Sequence, residues 1–204
     1  RFNLLTKKIE LYATQIPAEQ MTVVYAYLSM AGYKISDKAA KDGFYTAAYE
    51  NRYHPVQEYL NSVLADDSVV PVDLDQIATK YFHVSDSLSN EMLRVFLVGA
   101  VKRTFEPGCV HKSVLTLVGG QNCGKSASGR ILASPPWFKD TMQQGKDFLQ
   151  AIHGAWIYEL AEMDGVVGRS ESATFKNQLS SVSDWIRIPY LQYHDDYLRQ
   201  SVFW

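Results

Sequence analysis

One stretch constrains this chain more than any other: Gly119-Gly120-Gln121-Asn122-Cys123-Gly124-Lys125-Ser126. It fits the pattern G-x-x-x-x-G-K-[ST], and its flanks agree with it. Ahead of it, Val114-Leu115-Thr116-Leu117-Val118 is a short β-branched run bounded by glycines, which reads as a buried strand. Behind it, Lys125 to Leu132 reads as a helix that must stop before Pro135-Pro136. Glycines let such a turn curl until successive backbone N–H groups point inward as an anion nest. The helix that follows adds the positive end of its dipole to the same point. Lys125 then supplies a mobile charge for β- and γ-phosphates, and the Ser126 hydroxyl can ligate Mg²⁺. The expected ligand is a nucleoside triphosphate, cradled by residues 119–126. Cys123 reads as a small space-filler in this loop. Cys109, His111 and Cys123 have too few ligands and the wrong spacing for zinc.

A phosphate loop needs a carboxylate to organise metal and water. Ala155-Trp156-Ile157-Tyr158-Glu159 is an apolar run ending in an acid, which predicts a buried strand delivering Glu159 to the edge where the loop opens. Glu159 is the expected magnesium-facing acid. Glu162, just beyond, is the candidate for polarising an attacking water, though the two roles could be exchanged. Asp164 reads as a turn residue.

Composition sets the outer bounds. The chain has 204 residues, 47% hydrophobic and 21% charged, ordinary for a folded soluble protein. Two cysteines exclude a disulfide scaffold, and a reducing cytoplasm is the default setting. No apolar run is long enough to cross a bilayer. The net charge is −2, with ten basic and twelve acidic side chains in residues 1–102 and ten of each in 103–204. Any nucleic-acid contact must therefore come from a local cluster.

Periodicity predicts helices over 18–30, over 37–50 entered from Ser36, and over 55–64 with Pro55 in the first turn. Asp73 and Gln76 suggest a capping box before Ile77. Residues 88–103 are apolar nearly all round, which predicts a central helix sharing Leu88, Met92, Leu93, Phe96, Leu97 and Ala100 on one face. A further helix is expected over 147–152. The pattern changes at Pro107-Gly108, giving a mainly helical subdomain over 1–106 and an α/β nucleotide core over 107–204.

These segments together resemble the virulence-associated protein E family of phage- and island-encoded P-loop ATPases, related to the superfamily 3 replication helicases of the AAA+ class. The resemblance rests on Asn51 to Leu60, Val101-Lys102-Arg103 with Pro107-Gly108-Cys109, and the phosphate loop. It continues through Gly145 to Phe148, Trp156 to Glu162, Arg169-Ser170-Glu171 and Phe175-Lys176. It implies an α/β P-loop NTPase core that ends here inside its sheet, hydrolysing ATP with Mg²⁺. It also implies a ring, expected to be a hexamer, that works on single- or double-stranded DNA. A DNA-contacting hairpin would correspond to residues 186–199, with Arg187 and Arg199 for phosphates and Tyr193 and His194 at its tip. Asp195 and Asp196 argue against that contact. Arg94, Arg169, Arg187 and Arg199 are the candidate arginine fingers. Two other readings remain open: a P-loop kinase, for which Gly168-Arg169-Ser170 makes a poor lid, and a nucleotide-gated interaction module without turnover.

Overall fold

The computed structural model describes residues 1–11, 14, 15, 18–141, 143, 145–160, 176–186 and 195–204, and for residues 15 and 18–22 the backbone only. The chain opens with a small antiparallel sheet of β1 (Phe2–Asn3), β2 (Lys8–Leu11) and β3 (Thr14–Gln15). Phe2 stands opposite Ile9, so the hairpin buries Ile9 while Lys8 stays outside. Two helices follow, α1 (Ala18–Met30) and α2 (Asp37–Glu50), packed on each other. The Ser36 hydroxyl caps α2 by accepting the Ala39 N–H at 3.1 Å, as its position before the periodic run demands.

Helix α3 (Pro55–Leu64) begins on His54, whose Nδ1 accepts the Gln57 N–H at 3.2 Å. Proline at the first helical position loses nothing, because its missing N–H would have had no partner there. A short 3₁₀ turn over Leu74–Gln76 precedes α4 (Ile77–Phe82). Asp73 caps that turn through the Asp75 N–H at 2.9 Å, not through the expected box with Gln76.

The long helix α5 (Ser87–Phe105) lies centrally, but on one side only. Leu93, Phe96 and Ala100 are buried, whereas Leu88 and Met92 are more than half exposed and Val95, Val98 and Val101 also face out. The expectation of a single face uniting Leu88 and Met92 with Phe96 is therefore corrected. The helix rests on the sheet along one stripe, and its other apolar side chains remain at the surface.

After α5 come α6 (Lys125–Ala133), β4 (Phe138–Lys139), α7 (Gly145–Ile152) and β5 (Ile157–Tyr158). An antiparallel hairpin of β6 (Ser183–Ile186) and β7 (Asp195–Leu198) leads to β8 (Val202–Phe203). Strands β4, β5 and β8 form a parallel sheet in that order. Val114 bridges Phe203 on the far side of β8, and the Leu115 N–H donates to the Phe203 carbonyl at 3.2 Å.

The segment 114–118 is thus an edge, not the buried strand its composition suggests. Leu115 is buried and Leu117 packs on the core, but Val118 is 96% exposed. Successive side chains of an extended segment point to opposite faces, and here only Leu115 is buried while Thr116 and Val118 are exposed. By contrast Ala155 to Tyr158, flanked on both sides, is buried throughout as expected. One hydrophobic cluster crosses residue 107: Leu5, Val56, Ile77 and Phe96 share it with Trp156, Val202 and Trp204.

Candidate functional site

The loop 119–124 turns directly into α6. Asn122 and Gly124 both have positive φ, at 58° and 90°. Gly124 occupies the helix N-cap in a left-handed conformation that suits glycine, and asparagine tolerates the same region better than most residues. The sequence therefore puts its permissive residues where the chain must curl. Residues 119–124 and Ser126 are exposed and Lys125 is half-buried. The Lys125 ammonium donates to the carbonyls of Gly119 at 2.9 Å and Gly120 at 2.8 Å, and lies 3.6 Å from the Cys123 sulfur. The lysine thus spans the mouth of its own loop.

Opposite this loop stands the acid. Strand β5 carries the chain to Glu159, whose N–H donates to the Lys139 carbonyl at 2.7 Å. The Ser126 hydroxyl donates to Glu159 Oε1 at 2.6 Å. These two residues are 33 positions apart, and the fold brings them into direct contact. A serine hydroxyl and a carboxylate are hard oxygen donors of the kind Mg²⁺ takes alongside water and phosphate oxygens. The donor set fits that ion, with Lys125 beside it as the point charge.

The other expected site residues fare differently. Glu162, Arg187, Tyr193 and His194 lie outside the described residues, as does Arg169. Arg199 is fully buried. Its guanidinium grips Asp184 with Nε to Oδ2 and Nη2 to Oδ1, both at 2.7 Å, and Nη1 donates to the Gln178 carbonyl. A phosphate-binding role for Arg199 does not fit this position, because its donors are consumed inside the core. Arg94 is exposed and paired with Glu91 at 2.6 Å.

Asp184 is the hub of this interior network, since His153 Nε2 also contacts its Oδ2 at 2.9 Å. Burial by itself would raise the Asp184 pKa, but the hydrogen bonds from Arg199 and His153 outweigh it and hold the carboxyl at about 2. Arg103, also fully buried, spends its donors on carbonyls, with Nη1 reaching Ser201 at 2.8 Å and Nη2 reaching His111 at 3.1 Å. Burial and the nearby Arg199 charge lower its pKa. The two arginines thereby tie α5, the 109–111 segment and the β6–β7 hairpin to Ser201, the residue before β8.

One contact at the loop carries no sequence signal. Trp204 donates its indole N–H to the Lys125 carbonyl at 3.2 Å from 79 positions away. A tryptophan after a strand reads only as core.

A family model of the virulence-associated protein E-like domain matches residues 67–204. The chain belongs to that family. The matched virulence-associated protein E-like domain starts just after α3, and takes in the glycine-rich loop 119–126, Glu159 and the β6–β7 hairpin. A comparison with curated proteins gives no match.

Proposed function

We propose that this chain is a P-loop ATPase that binds ATP with Mg²⁺ on residues 119–126 and uses Glu159 as the acid facing the metal. The observation that carries the proposal is the 2.6 Å contact between Ser126 Oγ and Glu159 Oε1. Two motifs found independently in the sequence meet at one point, each with the residue type its role needs. The strand order supports the same reading. The segment before the loop and the strand bearing Glu159 flank β8, so both chain ends open at the same edge of a parallel sheet. Ligands of open α/β sheets sit at the carboxyl ends of the strands.

In this reading the Lys125 ammonium exchanges its bonds to the Gly119 and Gly120 carbonyls for phosphate oxygens. The loop N–H groups and the α6 dipole hold the remaining charge. Ser126 and Glu159 would hold Mg²⁺, which supplies charge neutralisation at the β- and γ-oxygens. Phosphoryl transfer asks a protein mainly for position and electrostatics, and this site offers both.

The wider role is a DNA-directed motor of a phage or mobile element, working as an assembled ring. Membership in the virulence-associated protein E-like family supports it. Among the described parts of the β6–β7 hairpin, Asp195 and Asp196 are exposed carboxylates, so a DNA contact there falls to Arg187, Tyr193 and His194. The test is ATP hydrolysis with and without single-stranded DNA, using Lys125→Ala as control. No binding of ATP by the folded chain would end the nucleotide reading. Hydrolysis indifferent to DNA would end the motor reading alone.

A further inference from the structure

Trp204 touches both halves of the candidate site. Its backbone brackets the acid: the Trp204 N–H donates to the Tyr158 carbonyl at 2.9 Å, and the Trp204 carbonyl accepts the Leu160 N–H at 2.9 Å. Glu159 is the residue between those two bonds. Its side chain points the other way along the site, where the indole N–H donates to the Lys125 carbonyl at the first position of α6. Ser126 is the next residue. A single side chain and its own peptide groups therefore span from the carboxylate strand to the lysine and serine of the loop.

The ring that makes this span is itself clamped. Phe96 meets it edge-on with centroids 5.4 Å apart, and Phe82 lies 6.4 Å away. On the other side α6 presents Gly129, where a Cβ would stand 3.0 Å from both Nε1 and Cε2 of the indole. That glycine lets the helix approach until the N–H reaches the Lys125 carbonyl. A buried indole N–H needs an acceptor, and here the acceptor is in the loop that carries the chemistry.

We infer that Trp204 is a positioning residue that sets the spacing between the phosphate loop and Glu159, and so the contact of Ser126 with that acid. This rests on the proposed Mg²⁺–ATP site. Trp204 touches neither nucleotide nor metal in this role. It acts through the register of α6 against β5.

The test is nucleotide affinity measured on the chain twice, with ADP in Mg²⁺ and with ADP in chelator, alongside thermal unfolding. Trp204→Phe keeps an aromatic ring against Phe96 while removing the donor and the smaller ring of the indole. The expected result is a loss of about threefold to tenfold in affinity with Mg²⁺, the worth of one hydrogen bond. Chelated ADP should bind Trp204→Phe as it binds the parent, although the smaller phenyl ring lowers the unfolding midpoint. Gly129→Ala leaves the donor intact but sets a Cβ 3.0 Å from the indole and from Phe138, and should also weaken binding more with Mg²⁺ than without, at a lower unfolding midpoint. Equal affinity of Trp204→Phe and the parent in Mg²⁺ would overturn the inference. So would equal losses with and without Mg²⁺ accompanied by a lower midpoint, which mark a purely structural tryptophan. Failure of the parent chain to bind ADP at all would instead refute the nucleotide site, and the inference with it.

Discussion

A lysine open to solvent and two buried arginines live under opposite rules. Lys125 is half-buried with no carboxylate partner among the described residues, its ammonium held by two loop carbonyls beside the Cys123 sulfur. Arg103 and Arg199 are fully buried, and their guanidinium groups donate to backbone carbonyls and to Asp184. The lysine is replaceable as far as the fold is concerned, because water can solvate what it leaves. The arginines are not, because their removal strands carbonyls or a carboxylate in a medium that cannot solvate them. Charge alone does not separate a replaceable cation from a structural one; its surroundings do.

The comparison breaks most visibly at Arg199. Arg199→Met leaves Asp184 buried with His153 as its remaining side-chain partner, and the expected cost is about 3–5 kcal/mol in urea unfolding. The exposed pair Arg130–Asp140 gives the contrast: Arg130→Met should cost less than about 1 kcal/mol. Near equality of the two would mean the interior network is not closed in solution. Because Asp184 is held at about 2, its stabilisation is complete above its ordinary 3.8 and is lost as pH falls toward 2.

Lys125→Ala should behave in reverse. Stability should stay within about 0.5 kcal/mol of the parent, while ATP hydrolysis falls by about 10²-fold or more. A parent-like hydrolysis rate in this variant would remove the lysine from the proposed chemistry.

Gly99→Ala probes how tightly the interior side is packed. A Cβ at Gly99 would stand 2.2 Å from the His111 ring, whose backbone carbonyl accepts from Arg103. Overpacking of that kind should cost about 1–3 kcal/mol, read by the same unfolding curves. The loop offers no such sensitivity at Gly120, where a Cβ meets nothing within 4 Å.

The smallest effect is titration at His54. Burial lowers its pKa, the Lys7 charge adds to this, and the hydrogen bond to Gln200 opposes both. Its Nδ1 already accepts the Gln57 N–H, so protonation there must break the α3 cap. Above the ordinary value of 6.5 both states are neutral and the group contributes no slope. Below it the unfolded chain takes up a proton that the folded chain resists, so stability should fall by about 1 kcal/mol over the next pH unit. His54→Asn, which can still cap the helix, should flatten that slope. An unchanged slope would assign it to His111, whose pKa burial and the Arg103 charge also lower.

What the chain settles locally is large. The left-handed turn of the glycine-rich loop, the acid at the end of an apolar run, the helix over 37–50 with its serine cap and the proline start of α3 all follow from neighbours within a few residues. Capping, left-handed turns and strand burial are short-range effects, so their signals sit in the sequence beside the structure they make. The sidedness of α5 was not legible, because Val95 and Leu93 look alike until a sheet covers one of them. Nor was the role of Arg199, since its partner Asp184 lies 15 positions back across a hairpin. Only the tertiary structure brought Ser126 to Glu159 and Trp204 to Lys125, contacts that span 33 and 79 positions. Nothing local encodes such a pairing, because it depends on which strands become neighbours in the sheet. The sequence by itself chose the chemistry of the loop and the acid; the packing of β5, β8 and α6 decided that they meet.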